Sequence, residues 1–224
     1  MNLSNLTSQW ARKPIQRWIK RSVDIAASAA GLAVLSPVLL GVAAAIRTTM
    51  GSPVFFRQRR PGLNDEPFEL LKFRTMTLDH GDDTRVDPST DAVRLTALGS
   101  FLRTWSLDEL PQLYNVFVGD MSLIGPRPLL LQYLPRYSQE QRRRHQMPPG
   151  ITGWAQIHGR NALSWDQKFA LDVWYIDHWN LWIDAKTLLS TFLHVVRRDG
   201  VSSNNHVTMP EFMGPNLTSS ANAR

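Results

Sequence analysis

An adjacent carboxylate pair, Asp108-Glu109, follows Arg103 and precedes an arginine held between two prolines, Pro126-Arg127-Pro128. A carboxylate can attack phosphorus if it stays ionised and if cations neutralise the phosphoryl oxygens as charge shifts. Arg103 and Arg127 are the candidates for those cations. The two prolines fix the backbone around Arg127, and its fork suits bidentate binding of phosphate. Pro-Arg-Pro is equally a rigid turn. Ser106-Leu107-Asp108-Glu109 also has the form of a capping box, in which Glu109 reaches back to the Ser106 N–H, and Pro111 suits a first helical turn. Capping and chemistry can coexist. A helix N-terminus favours the ionised carboxylate, and its free N–H groups can receive phosphate.

Elements around this segment must hold it in place. Ile25 to Ile46 is an uncharged, mostly apolar run with Ser36-Pro37 at its middle. Its length suits a span of the hydrocarbon, for which roughly 20 residues are needed. Arg12, Lys13, Arg17, Lys20 and Arg21 precede it, and Arg47, Arg57, Arg59 and Arg60 follow it. A crossing helix shows its Lys/Arg excess on one side only, so both flanks read as facing the same compartment. Pro37 removes a helical N–H, and the Ser36 hydroxyl can bond a freed carbonyl. The run therefore reads as re-entrant, entering the membrane and turning back. A crossing helix with a tolerated proline, a signal peptide and a buried soluble helix stay open as alternatives.

With 224 residues the chain has room for one membrane segment and one compact domain. There is no cysteine, which excludes disulfides, thiolate metal sites and a thiol nucleophile. A net charge of +6 calls for an anionic partner: lipid headgroups, nucleic acid or a phosphorylated substrate. Eight tryptophans suit a membrane surface, although Trp154, Trp174 and Trp182 suit a core as well.

Residues 1–22 read as an interfacial basic amphipathic segment, 23–47 as the re-entrant helix with its Ser-Pro break, 48–213 as one cytosolic catalytic domain and 214–224 as a disordered tail. Within the domain, Pro53–Arg60 and Pro67–Met76 flank the turn formers PGLNDE and predict a hairpin. His80–Ala92 is acidic and reads as a loop. Its aspartates lack the spacing of an EF-hand. A helical pattern starts at Val93 and carries Leu95, Leu98, Phe101 and Leu102 on one face. Helices are also expected over Ser164–Asp177 and Asp184–Arg198, with Asp184 as a candidate N-cap. The fold class is α+β and mainly helical.

The series Lys20-Arg21-Ser22-x-Asp24, Ser36-Pro37, Lys72-Phe73-Arg74-Thr75-Met76, Ser106 to Gln112, Gly119-Asp120-Met121-Ser122, Gly125-Pro126-Arg127-Pro128 and Pro149 to Gly153 resembles the bacterial sugar transferase family, the monotopic phosphoglycosyl transferases, in its short form. The resemblance runs from about residue 18 to residue 213. It implies transfer of a sugar 1-phosphate from a UDP-sugar to a polyprenol phosphate (undecaprenyl phosphate), with release of UMP. It places the nucleophile that carries a phosphosugar-aspartyl intermediate on Asp108, and an acidic partner on Glu109. Arg103, Arg127, Lys72, Arg74 and Asp184 match positions near the substrate phosphates. Lys20 and Arg21 would anchor the bent segment, and Ser36-Pro37 would bend it. Mg2+ is the implied cofactor, with Asp108 as a ligand. The implied place is the bacterial inner membrane, with the domain facing the cytoplasm and no nucleic-acid partner. A noncatalytic membrane scaffold and a basic nucleic-acid binder are the alternatives from other classes. No motif selects the sugar or an oligomeric state.

Overall fold

Ser8 starts the first helical turn, α1 (Gln9–Arg12), by accepting from the Ala11 N–H at 3.4 Å. Pro14 then opens α2 (Pro14–Val34), where its missing N–H costs nothing. The structure, a computed structural model, describes residues 8–78, 91–159, 163–197 and 211–214. Most of the expected loop at 80–92 and the tail beyond Gly214 lie outside the described residues.

Helix α2 runs unbroken through residues 22 and 23, so the expected boundary there is not a break in secondary structure. It is followed by α3 (Ser36–Thr49), bent by 60° relative to α2. Pro37 cannot donate to the Ala33 carbonyl four residues back, and the Ser36 hydroxyl donates to that carbonyl at 2.8 Å instead. The bend is thereby satisfied locally. No single described helix is long and apolar enough to cross a membrane, but the bent pair together meets that test.

The surface of α2 is inverted. Lys20, Asp24 and Ser28 share one face at helical spacing, and all three are buried. Lys20 Nζ meets Asp184 Oδ2 at 2.8 Å, and Asp24 Oδ1 accepts from the Leu123 N–H at 3.1 Å. Arg21 donates to the carbonyls of Val116 (2.6 Å) and Phe117 (2.8 Å). Meanwhile Trp18 is 75% exposed and Val34 76%, and Leu40 on α3 is 71% exposed. Polar side chains thus face the protein and large apolar ones face outward.

The hairpin forms as expected: β1 (Phe55–Pro61) pairs antiparallel with β2 (Pro67–Phe73), from Phe55 opposite Phe73 to Pro61 opposite Pro67. One helical turn, α4 (Asp91–Arg94), precedes a bridge between Met76 and Leu95. Thr96 then caps α5 (Ala97–Thr104), accepting from the Gly99 N–H at 2.9 Å. Leu102 is buried there with Phe73 and Ile46 of α3, whereas Phe101 faces outward. A 3-10 turn at Leu107–Glu109 leads into α6 (Gln112–Val118). Asn115 of α6 acts as a strand neighbour to β2, accepting from the Leu71 N–H at 3.0 Å and donating to the Glu69 carbonyl at 2.7 Å.

A short parallel pair follows, β3 (Ser122–Ile124) beside β4 (Gly150–Thr152), reached through α7 (Gln139–Arg142). Three glycines bring these segments into backbone contact. A Cβ on Gly150 would lie 2.1 Å from the Gly125 nitrogen, and one on Gly153 would lie 2.1 Å from the Gly125 carbonyl oxygen. The Gly125-Pro126-Arg127-Pro128 and Pro149-Gly150-Ile151-Thr152-Gly153 motifs are therefore two halves of one packing unit.

The chain ends its described helices with α8 (Trp154–Ile157), α9 (Trp165–His178) and α10 (Leu181–Arg197). Ser164 and Gln167 form a capping box on α9. Asn180, rather than Asp184, caps α10 by accepting from the Ile183 N–H at 3.0 Å. The core around Trp10, Tyr175, Ile176 and Trp179 joins α1 to α9, and Trp154 packs there too. Trp182 is 77% exposed and fills no core. Phe212 is buried against Tyr133 and Phe169.

The Lys20–Asp184 pair is the polar joint between α2 and the rest of the fold. Asp184 also accepts from the Tyr175 hydroxyl at 2.6 Å and the Trp179 indole at 3.2 Å. Removing one partner of a buried pair strands the other charge. Lys20→Met is expected to destabilise the protein by about 3–5 kcal/mol, read by denaturant unfolding of the detergent-solubilised protein.

Candidate active site

Ser106 adopts a left-handed conformation, with φ 55° and ψ 22°, and so turns the chain sharply after α5. Its side chain caps nothing, so the expected capping box is absent. The physical reason is the partner that Glu109 takes instead. Lys72 Nζ of β2 reaches Glu109 Oε1 at 2.7 Å, and Arg127 spans the same carboxylate, with one contact to Oε1 and another to Oε2 at 3.4 Å. Two charged partners outweigh a single backbone N–H.

Burial alone would raise the Glu109 pKa. The Arg127 and Lys72 charges outweigh it and hold Glu109 far below the usual carboxylate range. Glu109 in turn raises the pKa of Arg127 against the effect of burial. Asp108 goes the other way. Burial and then the adjacent Glu109 charge push its carboxyl up, and Lys72, Arg103 and Arg127 oppose them. A helix end favours the ionised form of Asp108, but burial and the neighbouring carboxylate push its pKa the other way. Among the described residues no hydrogen bond reaches the Asp108 carboxylate, which is buried within reach of the charges of Glu109, Lys72, Arg103 and Arg127.

The cations are positioned from different elements. Lys72 stands near the end of β2, whose backbone is stapled by Asn115. Arg103 lies in the last turn of α5 and donates from Nε to Thr75 Oγ1 at 3.1 Å. The Arg127 carbonyl accepts from buried Arg144 at 2.7 Å, and Arg144 also donates twice to buried Asp172, at 3.0 Å and 2.7 Å. The proline-flanked loop is thus fixed by the glycine packing on one side and by an ion pair on the other.

Asp108, Glu109, Lys72, Arg103 and Arg127 come together as the sequence suggests, whereas Arg74 and Asp184 do not join them. The Arg74 guanidinium donates to the carbonyls of Met50 (2.6 Å), Gly51 (2.8 Å) and Ser52 (3.1 Å), closing the C-terminal end of α3. Asp184 is consumed by Lys20, Tyr175 and Trp179. The pair Lys20 and Arg21 joins protein to protein, Lys20 to Asp184 and Arg21 to the end of α6. The arginine run from Arg142 to Arg144, a basic cluster that a nucleic-acid binder would need free, is paired with Asp65, Asp177 and Asp172 respectively. Arg60, which no motif singles out, and Gln112, which closes the Ser106-to-Gln112 motif, line the cleft with Lys72, Leu70, Arg127 and Pro128.

Among the described residues no group of three or more His, Asp or Glu side chains could cage a metal ion. Mg2+ needs fewer, because it takes one or two carboxylates and fills its shell with waters and substrate phosphates. Asp108 fits that demand, since its oxygens are not engaged, whereas the Glu109 oxygens are held by Lys72 and Arg127.

Residues 15–198 match the family described as bacterial sugar transferase, and the chain belongs to that family. It is 50% identical over 202 residues to the uncharacterized sugar transferase EpsL of Bacillus subtilis, covering 90% of this chain and 99% of that protein. It is 40% identical over 180 residues to the UDP-glucose:undecaprenyl-phosphate glucose-1-phosphate transferase of Klebsiella pneumoniae, covering 77% of this chain and 39% of that one. It is 36% identical over 203 residues to the undecaprenyl-phosphate galactose phosphotransferase of Salmonella typhimurium, covering 84% and 42%. The chain thus spans about two-fifths of the latter two relatives.

A carboxylate with a raised pKa and no donor is a stability cost in the ionised form: the folded protein binds its proton more tightly than the unfolded chain does. Stability contributed by this group is greatest at low pH and falls as pH rises through its folded pKa. Asp108→Asn, which removes the charge, is expected to raise the melting temperature at neutral pH by about 2–4 °C per kcal/mol relieved, checked by thermal unfolding beside the unaltered protein.

Proposed function

We propose that this member of the bacterial sugar transferase family moves a sugar 1-phosphate from a UDP-sugar to a polyprenol phosphate and releases UMP. The observation that carries this is the geometry of one buried, donor-free carboxylate beside Glu109 and the cations Lys72, Arg103 and Arg127. Relatives named as UDP-glucose:undecaprenyl-phosphate glucose-1-phosphate transferases support the substrate classes.

In this reading Asp108 attacks the phosphorus that carries the sugar. The bond to the bridging oxygen breaks, and its electron pair leaves with UMP. Asp108 is then a phosphosugar ester. An oxygen of the lipid phosphate attacks the same phosphorus and returns Asp108 as a free carboxylate. Covalent catalysis lets one site serve a soluble and a lipid substrate in turn. Arg127 and Arg103 neutralise the phosphoryl oxygens in both steps. A carboxylate held as far below its ordinary pKa as Glu109 is a poor base. Glu109 is therefore assigned to positioning Lys72 and Arg127. Asp108 and substrate phosphates would hold Mg2+, which would supply further charge neutralisation.

The same proposal places the site at the membrane surface. The bent pair α2–α3 is read as re-entrant in the bacterial inner membrane, with the domain on the cytoplasmic side. Its outward Val34 and Leu40 and its buried Lys20, Asp24 and Ser28 support that reading, because in lipid the apolar faces are solvated and polar groups must pair internally. Arg21 and Asp24 join α2 to α6 and β3, close to the site in sequence and space.

Three outcomes test the proposal. Purified protein given a UDP-sugar and polyprenol phosphate releases UMP, and Asp108→Asn lowers the rate by about 1,000-fold or more; full turnover in that variant would remove the nucleophile. The rate rises with pH as Asp108 loses its proton. Arg103 favours the ionised form, so Arg103→Gln moves the acid limb of the pH–rate profile upward. Single cysteines introduced at exposed Ala11 and Glu66, before and after the bent pair, label from the same face of sealed vesicles; labelling from opposite faces would replace the re-entrant helix by a crossing one.

A further inference from the structure

The cleft beside the carboxylates contains a cation that the mechanism above does not use. Arg60 lies at the end of β1 and lines the cleft with Lys72, Gln112 and Arg127. Its Nη2 donates to Gln58 Oε1 at 2.6 Å, its buried Nε has no partner, and among the described residues no carboxylate pairs with it. Burial and then the facing Arg127 charge pull its pKa down to about 10. A half-buried guanidinium with an unpartnered Nε beside another cation is costly unless an anion visits.

Three cations, Arg60, Lys72 and Arg127, line the cleft, and a fourth, Arg103, acts on Asp108, against the two carboxylates Asp108 and Glu109. Such a surplus suits a ligand with more than one phosphate. Lys72 and Arg127 already share Glu109, whereas Arg60 and Arg103 each donate to one neutral side chain, and of these two Arg60 lines the cleft.

We infer that Arg60 binds the departing phosphate of the nucleotide, the one that leaves as UMP, and so makes the cleft selective for a nucleoside diphosphate. This rests on the proposed reaction. The other phosphate source is the lipid. The fold favours the nucleotide, because the Phe55–Phe73 end of the hairpin is the end packed on Ile46 of α3, whereas Arg60, opposite Phe68, lies at the other end. When the bridging bond breaks, the electron pair passes to the oxygen of the leaving phosphate, which becomes a dianion. Arg60 meets that charge, and no proton is required.

A two-step covalent reaction separates the substrates kinetically: kcat/KM for the UDP-sugar reports the first step and kcat/KM for polyprenol phosphate the second. Arg60→Gln is expected to lower kcat/KM for the UDP-sugar by about 10- to 100-fold and to weaken inhibition by UMP by about 10-fold. The value for polyprenol phosphate stays within about 2-fold. Arg60→Lys, which keeps the charge and loses the fork, shows the same pattern at about 3-fold or more and decides the matter should Arg60→Gln fail to fold. An equal fall for both substrates would mean a structural role and would overturn the assignment. A fall confined to polyprenol phosphate would give Arg60 to the lipid phosphate and overturn it as well, as would no change. Stabilisation by UDP in thermal unfolding is read separately. An unaltered protein that UDP stabilises but that releases no UMP would overturn the reaction, while loss of the UDP effect in the Arg60 variants would still uphold the nucleotide-phosphate site.

Discussion

The carboxylate of Glu109 is the point at which three distant pieces of chain are tied: the end of β2 through Lys72, the left-handed turn after α5 through its own backbone, and the proline-flanked loop through Arg127. Its charge draws two cations together that would otherwise repel. Asp108 sits next to that clamp without being part of it. Burial and the Glu109 charge keep it less acidic than an ordinary aspartate, and the same cations keep it from being neutralised altogether. One fixed carboxylate thus sets the electrostatics of its neighbour, and two adjacent residues have opposite pKa shifts.

The second constraint is the inverted helix α2. A helix that buries Lys20, Asp24 and Ser28 and exposes Trp18 and Val34 would be unfavourable in water, but it fits a lipid surface, where the buried polar groups act as ties to the protein. Those ties do not end at random. Asp24 holds the backbone of Leu123, and Arg21 holds the end of α6, whose N-terminus follows Glu109 by three residues. Gly31 lets α2 approach Leu113 of the same helix. The bent pair and the site are therefore linked through α6.

Much of this was legible in the sequence where the signal is local. The hairpin has its turn formers between two apolar runs, α9 has its Ser164–Gln167 capping box, and the Ser36-Pro37 break carries its own repair in the serine hydroxyl. The carboxylate pair and the proline-flanked arginine announce charge chemistry by residue type. What local pattern misreads is the choice of partner over long separations. Asp184 looks like an N-cap or a phosphate neighbour, yet it takes a lysine 164 residues away. Arg74 follows Lys72 by two residues in one motif, but β2 ends at Phe73 between them, and Arg74 closes a helix instead. Ser106 to Glu109 fits a capping box until two cations compete for Glu109. Arg60 carried no signal, because a cation in a basic flank is indistinguishable from its neighbours until the fold sets it in the cleft beside Arg127.

The account stands on Asp108 as the atom that accepts the phosphosugar. The most direct test incubates the protein with a UDP-sugar and no lipid acceptor, then analyses the intact protein and the peptide containing Asp108 by mass spectrometry. The account predicts at most one equivalent of UMP released per active site and an added mass of the sugar phosphate on Asp108, lost again when polyprenol phosphate is supplied. Release of UMP only when the lipid is present, with no mass added to the protein, would mean that the lipid phosphate attacks the UDP-sugar directly and would contradict it.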